Sequence, residues 1–426
     1  MLVDSFEIKS GIKAHLIQND IFKTNIACVL LTTPLKRETV TQNALLPFLL
    51  RSGTKNLKTQ LEINKKLEEM YGASFDCGID KMGDNQVLKF YIESINDNFV
   101  GEKDEMLKQT TNFILEIVFN TLIENGQFNE DILNIEKQNL RQVIESKIDD
   151  KDIYAFENCI NSMYGDKGFG LYKYGFTEDI SKISAKSLAD SYIELINNCK
   201  IDIFISGDLK NIDIKGILEN NENIKKLIAR KPNYILNNES TESKQKVENI
   251  QEKREILDVA QGKLVIGLDI LSKQKDIGIV ALVYNAILGD GVNSMLFQNV
   301  REKASLAYST KSKYVKQKAN IFIRCGIEVD NYQKALDIIK EQLDNIKNGN
   351  FTEEDISNAK CYLISGIKAI EEEQDSEIVF YIGNEISNIN MTLKQYIDVI
   401  QNITKEEIIE FANLLEYNTI YFLSNK

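Results

Sequence analysis

Asn125-Gly-Gln-Phe128-Asn-Glu130-Asp131-Ile132 closes one long helical pattern and opens another, and it returns as Asn348-Gly-Asn-Phe351-Thr-Glu353-Glu-Asp355-Ile356, 223 to 224 residues on. A second echo lies 220 residues apart, Ile183-Ser184-Ala-Lys-Ser-Leu188 against Ile403-Thr404-Lys-Glu-Glu407-Ile408. Each of these opens a helix that leads into an apolar strand, Ile201–Ser206 and Thr419–Leu423. Thr404 and Glu407 have the spacing of a capping box, in which each side chain satisfies the other residue's free N–H. Two matches at nearly equal offset imply an internally duplicated unit of about 200 residues.

Outward from these phrases the pattern is mixed. Strands are expected at Ile12–Ile17, Ile26–Thr33, Ser74–Ile79, Asn85–Ile92, Ile256–Val259 and Lys263–Leu268, and helices at Thr41–Arg51, Gln60–Tyr71, Lys103–Glu124, Glu130–Lys147 and Lys275–Ile287. The fold class is α+β, with two homologous domains, each a mainly antiparallel sheet packed against several helices. Residues 1–232 form the first domain, 233–254 a polar linker, and 255–426 the second. Pro47 falls inside the first of these helices, where a missing N–H costs about 3 kcal/mol, so the helix either starts near Leu46 or is kinked.

Composition narrows the function. A net charge of −13 without a basic aromatic stripe argues against nucleic acid. The longest apolar runs fall short of a membrane span and no signal-like start is present, so no membrane partner and a cytoplasmic location are expected. The cysteines form no C-x-x-C pair, which suggests small buried hydrophobes rather than a disulfide framework or thiolate zinc site. Asp149-Asp150 and Glu371–Glu377 read as solvated helix ends. There is a single histidine, His15. It alternates with Ile12, Ala14 and Leu16 on a strand and is expected on the solvent side, with a catalytic role the minor alternative.

The remaining candidate stretch is Asn293-Ser-Met-Leu-Phe-Gln-Asn-Val-Arg301-Glu-Lys-Ala-Ser-Leu-Ala-Tyr308. Asn293 or Ser294 can cap a helix carrying Leu296, Val300 and Ala304. After Ser305 the period becomes that of a strand, with Leu306, Tyr308 and Thr310 on one face. Arg301 and Tyr308 are thus placed to offer a cation and a phenol to one ligand. On spacing alone, a solvated helix Arg and an amphipathic-strand Tyr stand ahead.

The duplication, the apolar helix ending Arg51-Ser-Gly-Thr54, and Leu296-Phe-x-x-Val-Arg-Glu-Lys-x-x-Leu-Ala-Tyr-Ser309 together resemble the inverted-zincin metallopeptidases, the family of insulinase, pitrilysin and the mitochondrial processing peptidases. The resemblance covers nearly the whole chain, including Met163–Gly170 and Gly175–Ile180. Active members carry His-x-x-Glu-His in the first helix and a distant Glu as third zinc ligand. Anchored on Gly53-Thr54, those positions here are Ala44, Pro47 and Phe48, and the distant Glu falls at Gln142-Val143, so no zinc or other cofactor is expected on this chain. The resemblance also implies that Arg301 and Tyr308 hold a substrate backbone and stabilise the oxyanion. Half-length chains of this kind pair with a second subunit. The expectation is therefore a non-zinc, substrate-binding subunit of a heterodimeric peptidase, inactive alone, its partner a homologous zinc-bearing chain and its substrate a peptide. The alternative is a catalytically inactive scaffold or regulatory peptide-binding protein. The sequence leaves open whether the isolated chain self-pairs.

Overall fold

The computed structural model describes residues 3–101, 105–210, 212–227, 230, 232, 244, 249–272, 277–387, 389 and 391–426. The chain divides into two compact units, residues 1–145 with 171–237, and residues 146–170 with 238–426. Most of the expected linker, 233–243 and 245–248, lies outside the described residues, while its last residues enter a strand of the second unit.

The first unit contains β1 (Val3–Lys9), β2 (Ile12–Gln18), β3 (Thr24–Pro34), β4 (Ser74–Met82), β5 (Asn85–Ile95) and β6 (Lys200–Gly207). They form one sheet in the order β1-β2-β6-β3-β5-β4, antiparallel except for the β2–β6 pair. Its helices include α1 (Val40–Leu50), α2 (Gln60–Glu69), α3 (Met106–Phe119), α4 (Glu130–Glu145) and Ala185–Asn198. Alternation along the strands turns Ala27, Val29, Leu31, Leu88, Phe90, Ile92 and Ile203 into one core with Leu45, Leu49, Ile114, Val118 and Leu188 of the helices.

The second unit contains β7 (Gln251–Ile256), β8 (Gly262–Ile270), β9 (Ala307–Val315), β10 (Asn320–Ile327) and β11 (Leu415–Ser424) in the order β7-β11-β8-β10-β9, with β7–β11 the parallel pair. Apart from β1, each strand has a counterpart in the first sheet at the same place and in the same direction. Glu130 and Glu353 open equivalent helices. Ser184 with Ser187, and Thr404 with Glu407, cap the helices of the second echo through reciprocal hydrogen bonds. The duplicated α+β architecture is therefore present.

The expected strand Ile256–Val259 instead runs Gln251–Ile256, because its pairing with β11 ends at Ser424. The second sheet is covered on both faces. Ile266, Leu268, Ile321 and Ile323 meet Tyr284, Ile339 and Phe411 on one side. Val265, Phe322, Tyr421 and Leu423 meet Ala155, Cys159 and Ile160 of α5 (Lys151–Tyr164) on the other. That is why Leu264–Leu268 within β8 reads as an unbroken apolar run. Asp150, one of the acidic pair, caps α5 by accepting from the N–H groups of Asp152 and Ile153 at 3.0 and 2.9 Å. Glu377 of the other acidic cluster is buried, not solvated, because its helix turns it inward with Ile378. Among the described residues no helix is long and apolar enough to cross a membrane.

Candidate functional site

The resemblance singles out two places on the chain, the degenerate zinc-motif positions and the Arg301–Tyr308 stretch, and each lies within one unit. In the first unit α1 continues through Pro47 rather than starting near it. Proline has no N–H for the Asn43 carbonyl, so one rung of the helix is missing, while the Pro47 carbonyl accepts from the Arg51 N–H at 3.2 Å. The helix tolerates this because its start is fixed from outside. Asn43 donates to Gln86 at 3.1 Å, and Gln86 donates to the Val40 and Lys173 carbonyls at 3.0 and 2.8 Å. Thr41 donates to Asp179 and accepts from the Phe176 N–H. Gly175 makes that approach possible. Its φ is +79°, and a Cβ there would sit 2.1 Å from the Thr41 hydroxyl.

The other end of α1 is shaped by the Ser-Gly-Thr that follows it. Thr54 donates to Glu116 at 2.7 Å and accepts from the N–H of Leu57 at 2.9 Å, while Glu116 also accepts from Asn56, Asn120 and Asn223. That motif is thus a folded-back loop that anchors the helix.

The positions that hold zinc in active inverted zincins do not fit the metal here. Ala44 and Pro47 are buried and Phe48 is half-buried, and none has a donor atom. On α4 Gln142 is exposed, and the half-buried Val143 has no donor either. Two side chains nearby do have one, and the sequence reading missed both. The Cys77 thiol donates to the Pro47 carbonyl at 3.3 Å. Loss of water pushes that thiol up to about 12, against the pull of Arg51 and with the push of Asp76 and Glu136. It therefore stays protonated at neutral pH, whereas zinc takes a thiolate. Glu136, buried on α4, accepts from Asn139 at 2.8 Å. Leu133 and Leu140 flank it on the buried stripe of that helix, so an acid at the i+3 place of an apolar stripe was the available signal. Among the described residues these two donors beside α1 fall short of the three protein ligands of a catalytic zinc.

His15 is not on the solvent side. It is 3% exposed, stacks on Phe204 at 4.3 Å, and its ring nitrogens lie 3.1 Å from Asp202 and 3.0 Å from Ser5. β2 is an interior strand, and its neighbours β1 and β6 cover the ring from both sides.

In the second unit the expected helix is a π-helix, Phe297–Lys303, which the sequence pattern did not disclose. Ser294 does not cap it with its side chain, because the hydroxyl donates to the Gly291 carbonyl at 2.7 Å. The helix ends at Ser305, whose φ is +54°, with the Leu306 N–H reaching back to the Val300 carbonyl. Arg301 stands near its end, its side chain 45% exposed, with the guanidinium 4.7 Å from the Phe297 ring and 3.7 Å from Glu302.

Tyr308 sits on a bulge. Ile327 pairs with Ala307 and Gly326 with Ser309, so Tyr308 has no partner in the ladder and the strand parity shifts there. Thr310 and Ser312 consequently turn inward while Tyr308 is 56% exposed, contrary to the expected shared face of Tyr308 and Thr310. The Tyr308 hydroxyl donates to Glu328, and that carboxylate raises the phenol above its ordinary value. Both expected donors therefore reach the surface of the second unit. Each is carried on an irregular backbone element, a kind found often at functional positions.

The class of protein is a two-unit α+β chain whose second unit repeats the sheet order of the first. A family profile described as peptidase M16 inactive domain matches residues 182–363. A Bacillus subtilis protein named "Probable inactive metalloprotease YmfF" is 31% identical across 98% of this chain and 97% of its own length. By that relationship the chain belongs to the M16 peptidase family. Another Bacillus subtilis relative, "Uncharacterized zinc protease YmxG", is 21% identical over 73% of this chain and 74% of its own. A solved structure of a conserved protein from Enterococcus faecalis V583 superposes with a TM-score of 0.89 at 26% identity, covering 100% of this chain and 99% of that one.

Proposed function

We propose that this chain is the non-zinc, substrate-binding subunit of a heterodimeric M16 peptidase. It is inactive alone and lends Arg301 and Tyr308 to a zinc site built by a homologous partner carrying His-x-x-Glu-His. The observation that carries this reading is the exposure of both side chains on a π-helix and a bulge, beside a first helix with no zinc donor at positions 44, 47 and 48. A solvated Arg and Tyr need neither irregularity.

In this reading the guanidinium and the phenol donate to a substrate carbonyl as it gains negative charge. Glu302 and Glu328 hold the two donors until peptide arrives. The partner's zinc supplies the Lewis acid and the attacking water. Once water is excluded, losing one such donor costs roughly 3 kcal/mol of barrier. Mixing the purified chain with a zinc-bearing M16 subunit should give peptide hydrolysis that neither shows alone, and hydrolysis unchanged by Arg301→Ala and by Tyr308→Phe would refute the lent site.

The second reading, an inactive scaffold or regulatory peptide-binding protein, draws on the name of the Bacillus subtilis relative and on the Tyr308 hydroxyl already engaged by Glu328. It predicts partner capture in a pull-down with no gain in hydrolysis.

A further inference from the structure

From Lys303 to Ile327 the chain carries six cations (Lys303, Lys311, Lys313, Lys316, Lys318 and Arg324) and no acid, within a protein of net charge −13. The fold gathers three of them at one sheet edge. β9 is the last strand of its sheet, and Lys311 and Lys313, two residues apart, are exposed along it. Lys311 is paired in register directly opposite Arg324 of β10, and Lys313 opposite Phe322. Like charges opposite each other on antiparallel strands repel, and no residue of the sheet relieves this pair. Among the described residues neither lysine nor Arg324 has a carboxylate within ion-pair distance.

Phe156 of α5 floors the patch. The Arg324 guanidinium lies 4.8 Å from its ring and the Lys313 ammonium 5.9 Å. The Nε of Arg324 is buried and has no hydrogen-bond partner. Asp152, Asp150 and Glu157 favour the charge on Arg324 from a distance, while loss of water is the main influence lowering it. Lys313 is likewise held below its ordinary value, by loss of water first, then by Arg324 against a weaker pull from Glu157, with Lys311 adding to the reduction. Arg324 and Lys311 thus disfavour the charge on Lys313, and a bound anion would oppose that.

We propose that Lys311, Lys313 and Arg324 form a specificity strip for acidic peptides, continuous along β9 with Tyr308. The occupant is an extended segment with carboxylates two residues apart. Alternate side chains of an extended chain are separated by about 7 Å, which is the spacing of the two lysines along their own strand. A net charge of −13 over the whole chain opposes a long polyanion such as nucleic acid more than a short peptide that meets only the strip. The inference deepens the reading of the chain as a substrate-binding subunit and rests on it. It names the substrate class.

The test uses the full chain and fluorescence anisotropy with three labelled probes: a ten-residue peptide with Glu at alternate positions, the same peptide with Gln, and a single-stranded oligonucleotide of equal charge. The acidic peptide should bind at least tenfold more tightly than either other probe at moderate salt, and the preference should fade as salt rises. Lys311→Ala with Lys313→Ala should remove the preference, and Lys311→Arg with Lys313→Arg should retain it. Equal binding of the Glu and Gln peptides, an oligonucleotide bound as tightly, or no binding by any probe would each overturn the proposal. So would a double Ala variant that keeps the preference but loses capture of the zinc-bearing subunit, which would make the strip a subunit contact. Hydrolysis of neutral peptides in the mixed assay should need Arg301 and Tyr308 but not the strip, so failure of the strip is distinguishable from failure of the lent site.

Discussion

The first helix of the first unit and the π-helix-to-β9 corner of the second unit have opposite fates. α1 is sealed. Ala44 and Leu45 are fully buried, Gln86 and Thr41 tie its start, and Thr54 folds back at its end. The corner is open. Arg301 and Tyr308 reach solvent on backbone that departs from regular helix and strand. At the positions that the resemblance matches to zinc ligands, this chain carries the hydrocarbon side chains of Ala44, Pro47 and Phe48. Under the proposed function, the exposed cation and phenol of the second unit are what would grip a polypeptide.

The sharpest test of the sealed side is Gly175→Ala. The new Cβ would meet Thr41 hydroxyl and backbone atoms at 2.1 and 2.7 Å, at a φ of +79°. We expect a loss on the order of 3 kcal/mol or more in urea unfolding. Gly267→Ala in the second unit is the matched control. Its Cβ would meet the Met163 sulfur at 2.4 Å, but a flexible thioether can move, so about 1–2 kcal/mol is expected. An equal loss at both sites would mean that the start of α1 is not specially pinned.

Next in size is restoration of the zinc motif by Ala44→His, Pro47→Glu and Phe48→His. An imidazole in place of a buried methyl overpacks α1, and a loss of roughly 1–3 kcal/mol in thermal or urea unfolding is expected. Zinc binding by calorimetry should stay weak, and adding Val143→Glu should tighten it on the order of tenfold or more by supplying a third ligand. Tight zinc binding by the triple variant alone would mean that Glu136 already serves as that ligand.

The smallest effect is kinetic. Cys361 is exposed and should react with a thiol reagent in the native protein, whereas Cys77, pushed up to about 12, should not. A raised thiol value leaves the nucleophilic thiolate scarce below it, so moving from pH 7 to pH 9 should not bring Cys77 into play. Rapid modification of Cys77, located by mass spectrometry, would show that the packing of Cys77 against Pro47 is open to solvent.

The duplicated architecture was legible because Asn129 and Thr352, and Ser184 and Thr404, mark helix starts through local hydrogen bonds that a sequence displays. What the sequence hid depends on partners distant along the chain. His15 looked solvent-facing by alternation, yet Asp202 and Phe204 of β6 close over it. The segment 146–170 belongs with the second unit because Ala155, Cys159 and Ile160 find the far face of that sheet, which no local pattern announces. At the candidate site the identities of Arg301 and Tyr308 were readable. Their presentation was not, since a π-helix and a bulge each shift the period that pattern reading assumes.

The most direct measurement is peptide hydrolysis by the chain mixed with a zinc-bearing M16 subunit, comparing the native protein with Arg301→Ala and Tyr308→Phe. Both side chains are exposed, so the variants should fold and co-purify with the subunit as the native chain does. Each should then lower kcat/KM roughly a hundredfold. Full hydrolysis by both variants, or hydrolysis by the native chain with no partner present, would contradict the account.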